Sequence, residues 1–324
     1  MRGASDKCRR NVGNKREQDC DNPPMKVRVV IAVAILGVPL TINSASATSV
    51  INISPATVGL PIVNSGEAPA YKRIVALGNG AAEIVAALGY KKYLVGRDIA
   101  SAMPELDSVA FDTSGHQVNT EKVLSQKPDI IFIDNNTSPQ TALQVLKNSN
   151  IKMVKIPSAY TLADILPKEK AIADALKVPK AYSLLSSKIS QYTNPISQKR
   201  VAFLYLRGTS SIYLVGGKGS GADSIIRSAG FTDIGAVNFK TPFTDLSAEA
   251  LVKMQPDVIV LMTKGLQSVG GIEGLLQLPG IAQTPAGKKK RIVTIDDSLF
   301  LSFGPRTSEM MPKLRTAILQ VLKK

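Results

Sequence analysis

Glu121 to Ile133 reads EKVLSQKPDIIFI, and Glu249 to Leu261 reads EALVKMQPDVIVL. In each, a Glu stands seven residues ahead of Pro-Asp and an unbroken apolar run follows. The first part has helical spacing, the Pro ends the helix, and the apolar run suits a strand buried on both faces. A short helix feeding a buried strand is a parallel α/β unit. The unit recurs after 128 residues. That period is too long for a solenoid and fits two similar lobes.

The two lobes also open alike. Lys72-Arg73-Ile74-Val75-Ala76-Leu77 reads as a buried strand, and Gly78-Asn79-Gly80 turns it. Ala81 to Leu88 is helical, with Glu83 in its first turn and Gly89 as its stop, and Lys92 to Gly96 is a second strand. Lys199-Arg200-Val201-Ala202-Phe203-Leu204 repeats the opening, followed by a Gly-containing turn and a helix stopped by Gly230. Between the lobes, Leu162 to Asn194 has helical spacing broken at Pro179, with Tyr182, Leu184, Leu185, Ile189 and Tyr192 on one stripe. Two α/β lobes joined by a helix leave a cleft between them, where ligands bind.

The first 47 residues stand apart. After a polar segment, Lys26 and Arg28 precede an apolar run from Val29 to Leu40, and Ala45-Ser46-Ala47 follows. This matches a secretory signal peptide cut after Ala47, with Met1 or Met25 as its start. The run is shorter than the roughly 20 residues of a spanning helix, although an uncut anchor is the alternative. Residues 48–70 mix Ser, Thr, Pro and Gly and read as a flexible tether. The expected domains are therefore 1–47 extension and signal, 48–70 tether, 71–161 first lobe, 162–197 helical link and 198–324 second lobe.

Composition narrows the chemistry. The chain has 324 residues, 40 Lys+Arg against 25 Asp+Glu, one His, two Cys and no Trp. Residues 1–28 hold eight Lys/Arg and four Asp/Glu, a net +4, and 29–47 hold no charge. The chain after Ala47 keeps +11 of the +15 and neither cysteine. A disulfide scaffold and a multi-histidine metal cage are excluded for want of ligands. Export and the lack of any recognition motif argue against nucleic acid as a partner. Gly216-Gly217-Lys218-Gly219-Ser220-Gly221 lacks the spacing of a phosphate-binding loop, and Gly78-x-Gly80 lacks the third glycine of a dinucleotide fingerprint. Nothing points to an acid–base enzyme. An exported small-molecule enzyme remains the reading from another class.

Several short stretches, in this order, resemble the substrate-binding proteins of ABC importers for haem, siderophores and cobalamin. They are Ser114-Gly115-His116-Gln117-Val118-Asn119-Thr120-Glu121, then Leu246 to Leu251 with Pro256-Asp257. Met262-Thr263-Lys264-Gly265-Leu266 through Gly270-Gly271 follows, then Ser302-Phe303-Gly304-Pro305-Arg306. The resemblance is to the haem-binding member of Gram-positive uptake systems. It implies a class III periplasmic-binding-protein fold: two Rossmann-like lobes joined by a long helix that limits their motion to a few degrees. It implies a monomer on the extracytoplasmic face of the membrane, in the periplasm or secreted. It also implies an ABC permease with its ATPase as partner, with a haem donor protein possible. A ferric siderophore or cobalamin is the alternative cargo.

The site expectations follow. His116, the only histidine, lies in a Gly-flanked loop at the rim of the first lobe; a neutral imidazole is a good iron ligand. Taken alone it reads as a surface residue; the resemblance makes it a haem-iron ligand. Tyr205, at the end of the second lobe's first strand, is expected to face the cleft. Tyrosinate is a hard ligand for ferric iron, and a cation beside a phenol favours its anion. Arg207, two residues on, falls on the same side of an extended segment. The resemblance implies His116 and Tyr205 as the two ligands of ferric haem, with Arg207 beside Tyr205. Arg306 is expected at a haem propionate. Tyr160, Tyr213, Met103, Met262 and Phe303 line an apolar slot or fill the core. Lys288 to Arg291 reads as a solvated turn. Glu121 and Glu249 suit helix N-termini by charge; the resemblance implies that they dock the two lobes on the permease.

Overall fold

The structure is a computed structural model that describes residues 50–114, 117–189, 196–208 and 212–323. The expected signal segment and both cysteines lie outside the described residues, as does His116. After β1 (Ile51–Ile53), the first lobe runs β2 (Ile74–Ala76), α1 (Ala81–Ala87), β3 (Leu94–Arg97), β4 (Ala110–Phe111), β5 (Thr113–Ser114), β6 (Gln117–Val118), α2 (Thr120–Ser125), β7 (Ile130–Ile133), α3 (Gln140–Asn148) and β8 (Lys152–Lys155). The link holds α4 (Ile165–Leu176) and α5 (Pro179–Ser186). The second lobe runs β9 (Ser197–Arg207), β10 (Ile212–Gly216), α6 (Ala222–Ser228), β11 (Phe231–Asp233), α7 (Ile234–Asn238), β12 (Phe243–Asp245), α8 (Ala248–Met254) and β13 (Val258–Met262). It closes with α9 (Thr263–Ser268), α10 (Gly271–Gln277), α11 (Pro285–Lys288), β14 (Ile292–Ile295), α12 (Asp297–Ser302) and α13 (Pro305–Leu322).

The first lobe is a parallel sheet in the order β4-β3-β2-β7-β8. Its central strands β2 and β7 are apolar throughout because helices cover both faces. All three residues of β2 are buried. The second sheet runs β1-β14-β13-β9-β10-β12, with β11 beside the start of β9. Its β1, β14, β13 and β9 are parallel, and β10 and β12 add an antiparallel edge.

The repeated Pro-Asp has a physical role. Asp129 accepts the backbone N–H of Lys72 at 2.7 Å and of Arg73 at 3.0 Å. Asp257 accepts the N–H of Arg200 at 2.9 Å. The two echoes noted in the sequence are thus one device used twice. A carboxylate ahead of the second strand ties down the Lys-Arg opening of its neighbour, and β7 and β13 pair in parallel with β2 and β9.

Two expectations are corrected. In the expected tether, residues 50–70 are not loose. Strand β1 pairs with β14, Ile51 opposite Val293, and Val58 and Val63 are buried in the second-lobe and first-lobe cores. The segment crosses from the edge of one lobe to the other. The link is helical but is not one long helix. Lys177 takes a left-handed conformation that ends α4, and Pro179 starts α5 afresh. Glu67 accepts the N–H groups of Lys180 and Ala181 at the start of α5, and α4 and α5 pack into the first-lobe core.

Candidate functional site: an interlobe cleft

In a parallel sheet every strand ends at the same edge, and ligands gather there. A cavity of about 650 Å³ lies at these edges. Its wall comes from Asn79 after β2, Ile99 after β3, Asp134 after β7 and Tyr160 after β8, and from Tyr205, Met262 and Asp296 at the ends of β9, β13 and β14. This volume is within the roughly 300–1,000 Å³ of small-molecule sites. Ile99, Tyr160 and Phe243 stay 41%, 43% and 42% exposed on its wall. Large apolar groups left in water around a cleft are what a flat apolar ligand would cover.

Tyr205 lies on this wall, with its ring edge-on to Phe243 at 5.6 Å. Arg207 stacks its guanidinium over the Tyr205 ring at 4.7 Å. Its Nη2 donates to Asp297 at 3.3 Å and its Nη1 to the Leu206 carbonyl at 2.8 Å. Asp297 also accepts the backbone N–H of Lys264 at 3.0 Å. Burial raises the Asp297 pKa, and these donors with the charges of Arg207 and Lys264 oppose the rise. The arrangement fixes a cation at one wall tyrosine.

The floor is a buried charge network joining the lobes. Glu83 of α1 and Arg306 of α13 are both 0% exposed. Glu83 accepts from the Arg306 backbone N–H at 2.8 Å, from Nε at 3.1 Å and from Nη2 at 3.0 Å. Lys168 of α4 donates to the Ser302 carbonyl at 2.8 Å. Gly80, at φ +70°, brings the start of α1 against that same carbonyl, leaving no room for a Cβ. Burial pulls the Lys168 pKa down to about 8 and pushes those of Glu169 and Asp98 up to about 8 and about 7.

The expectation for Arg306 is therefore corrected. Its guanidinium is fully buried and pairs with Glu83 through Nε and Nη2, so it has no surface to offer a ligand. Met103 is core, and Tyr213 donates to the Pro279 carbonyl with its pKa raised by burial; neither lines the cleft. Tyr160, Met262 and Phe303 do line it. Sequence reasoning missed Lys168, Lys264, Asp297, Ile99 and Phe243. Only Lys264 carried a signal, since it stands inside one of the stretches that resemble the importer proteins.

Glu121 and Glu249 are exposed in the first turns of α2 and α8. Asn119 and Ser247 cap those helices, accepting from the N–H of Lys122 and Ala250. The loop bearing His116 is flanked by β5 and β6, which pair antiparallel; Thr113 of β5 accepts the N–H of Ile99, a cleft residue. Among the described residues no helix is long and apolar enough to cross a membrane.

Residues 74–299 match the family model for periplasmic binding proteins. Over 258 residues the chain is 24% identical to an uncharacterised ABC transporter substrate-binding lipoprotein, YvrC, of Bacillus subtilis, across 76% of this chain and 80% of that one. It is similar to the apo structure of the periplasmic heme-binding protein RhuT from Roseiflexus sp. RS-1, with 32% identity and a TM-score of 0.71 over 78% of this chain and 99% of that one. It is also similar to the heme-binding protein HmuT, with 26% identity and a TM-score of 0.70 over 85% and 95% of the two chains. HmuT has also been solved with alanine in place of a histidine, of a tyrosine, and of an arginine two residues beyond that tyrosine. The chain belongs to the periplasmic binding protein family and has the class III fold of ABC-importer substrate-binding proteins.

Proposed function

We propose that this protein captures ferric haem between its lobes, with His116 and Tyr205 as iron ligands, and delivers it to an ABC permease and its ATPase through Glu121 and Glu249. The observation that carries the reading is the Tyr205–Arg207 stack on the wall of the cleft. Tyrosine is a hard oxygen ligand for ferric iron, and Asp297 holds the Arg207 guanidinium over that ring. The exposed Ile99, Tyr160 and Phe243 suit the apolar faces of a porphyrin. The likeness to RhuT and HmuT supports the same cargo, and the His, Tyr and Arg altered in HmuT parallel His116, Tyr205 and Arg207 in order and in the Tyr-to-Arg spacing. A ligand from each lobe holds the ring across the cleft. The protein works outside the cytoplasm, where its family acts.

Titration of the purified protein with hemin tests this. The expected result is a shifted Soret band at one or more equivalents, with altered position and weaker binding in His116→Ala and in Tyr205→Phe. An unshifted Soret band overturns the haem assignment and favours a siderophore or cobalamin; a shifted band unchanged in both variants overturns His116 and Tyr205 as the ligands.

A further inference from the structure

We infer that Lys264 receives the carboxylate groups of the bound ligand, an inference that rests on the haem reading above and says which way round the ligand sits. Among the described residues, three cations line the cleft: Lys168, Arg207 and Lys264. Two are already committed. The Lys168 ammonium is 1% exposed and bonded to the Ser302 carbonyl in the floor. Arg207 is stacked on Tyr205 and bonded through both terminal nitrogens, to Asp297 and to Leu206. Moving either would break contacts that shape the site.

Lys264 differs. Its backbone is pinned, because its N–H donates to Asp297 at 3.0 Å. Its side chain is exposed, and among the described residues its ammonium makes no hydrogen bond. Asp297, whose carboxylate feels the Lys264 charge, already pairs with Arg207. The carboxylates of Asp134 and Asp296 are likewise occupied, the first by the N–H groups of Asn79, Asn136 and Thr137 and the Thr137 hydroxyl, the second by the N–H and hydroxyl of Ser298. Among the described residues, Lys264 is thus the one cleft cation whose ammonium is not held by a hydrogen bond and can turn toward a ligand. A long, flexible ammonium on a fixed backbone suits this task, since it can follow a carboxylate on a flexible arm. The exposed apolar groups Ile99, Tyr160 and Phe243 take the body of the ligand while Lys264 takes its acidic edge.

The test compares hemin with hemin dimethyl ester, which has the same ring and iron but no free carboxylate, on the full-length protein. A charge-assisted hydrogen bond contributes about one order of magnitude in affinity. The expected result is wild-type preference for hemin over the ester by about tenfold. Lys264→Ala should lose that preference by weakening hemin alone, and Lys264→Arg should keep it. An unchanged preference in Lys264→Ala, with a normal Soret shift, overturns the role of Lys264 and leaves the haem reading standing. No Soret shift with either compound in the wild type overturns the haem reading and this inference together. Circular dichroism of Lys264→Ala confirms that an altered preference is not a folding defect.

Discussion

Arg306→Met removes the cation from the buried pair at the cleft floor and keeps most of its volume. Glu83 loses two of its three hydrogen bonds from Arg306, those from Nε and Nη2, and retains the backbone one. Its carboxylate then lies in a fully buried site without its hydrogen-bonded cation, within the field of Lys168 alone. Breaking a buried pair on one side costs about 3–5 kcal/mol. A ceiling follows from acid–base chemistry, because the variant can neutralise itself. Protonating an ordinary glutamate carboxyl of pKa about 4.3 at pH 7 costs about 3.7 kcal/mol. The expected loss is therefore about 3–4 kcal/mol. At roughly 2–4 °C per kcal/mol in a body of this size, the midpoint falls on the order of 10 °C. Thermal and urea unfolding followed by circular dichroism at pH 7 measure it. The double variant Glu83→Gln with Arg306→Met, which removes the stranded charge, recovers more than half of the loss. A cost under about 1 kcal/mol in the single variant, or a double variant no better than the single, refutes the reasoning. Hemin affinity of the folded Arg306→Met protein separates the two roles of this residue: it stays within a factor of two if Arg306 is structural, and drops if it holds a propionate.

Two further outcomes are expected. Glu169 is buried, with its pKa raised to about 8 chiefly by desolvation and further by Glu83. A folded-state pKa above the unfolded value means that the folded protein binds the extra proton. Stability contributed by that proton is full below the unfolded pKa of about 4.3 and is lost as pH rises to about 8. Glu169→Gln should therefore match the wild type in urea at pH 4.5 and exceed it at pH 8; equal midpoints at both would show that Glu169 carries no such penalty. Lys168, with its pKa lowered to about 8, acts in the opposite sense only above that pH. Reversal of the docking pair, Glu121→Arg with Glu249→Arg, should leave hemin binding unchanged and lower haem uptake by proteoliposomes holding the cognate permease at least tenfold, as like charges meet across the interface. Uptake at the wild-type rate would remove these two residues from docking.

Much of the fold was legible because its signals are local. The Pro-Asp repeat, the Lys-Arg openings and the apolar runs after them place β2, β7, β9 and β13 from adjacent residues alone, and the capped starts of α2 and α8 are local as well. The break in the link was visible at Pro179, although the chain turns two residues earlier, where Lys177 takes a left-handed conformation that no side chain announces. Strand β1 escaped because its three residues sit among Ser, Pro and Thr, and what makes them a strand is β14, some 240 residues downstream. Arg306 was misread for a related reason: a Gly-Pro-Arg turn looks exposed until Glu83, 223 residues earlier, is folded against it.

The same division holds at the site. The sequence by itself determined that two parallel α/β lobes would end their strands toward a cleft, and that Tyr205 would stand at such an end with Arg207 two residues on, because strand period and strand direction are properties of neighbouring residues. Tertiary structure alone decided how each charge is used. Arg306 closes the floor against Glu83, Lys168 serves Ser302, Arg207 is fixed over Tyr205 by Asp297, and the Lys264 ammonium makes no hydrogen bond among the described residues. Whether a cation binds a ligand or holds a wall depends on which carboxylate or carbonyl lies within about 3 Å of it. That distance is set by packing between residues far apart in the chain.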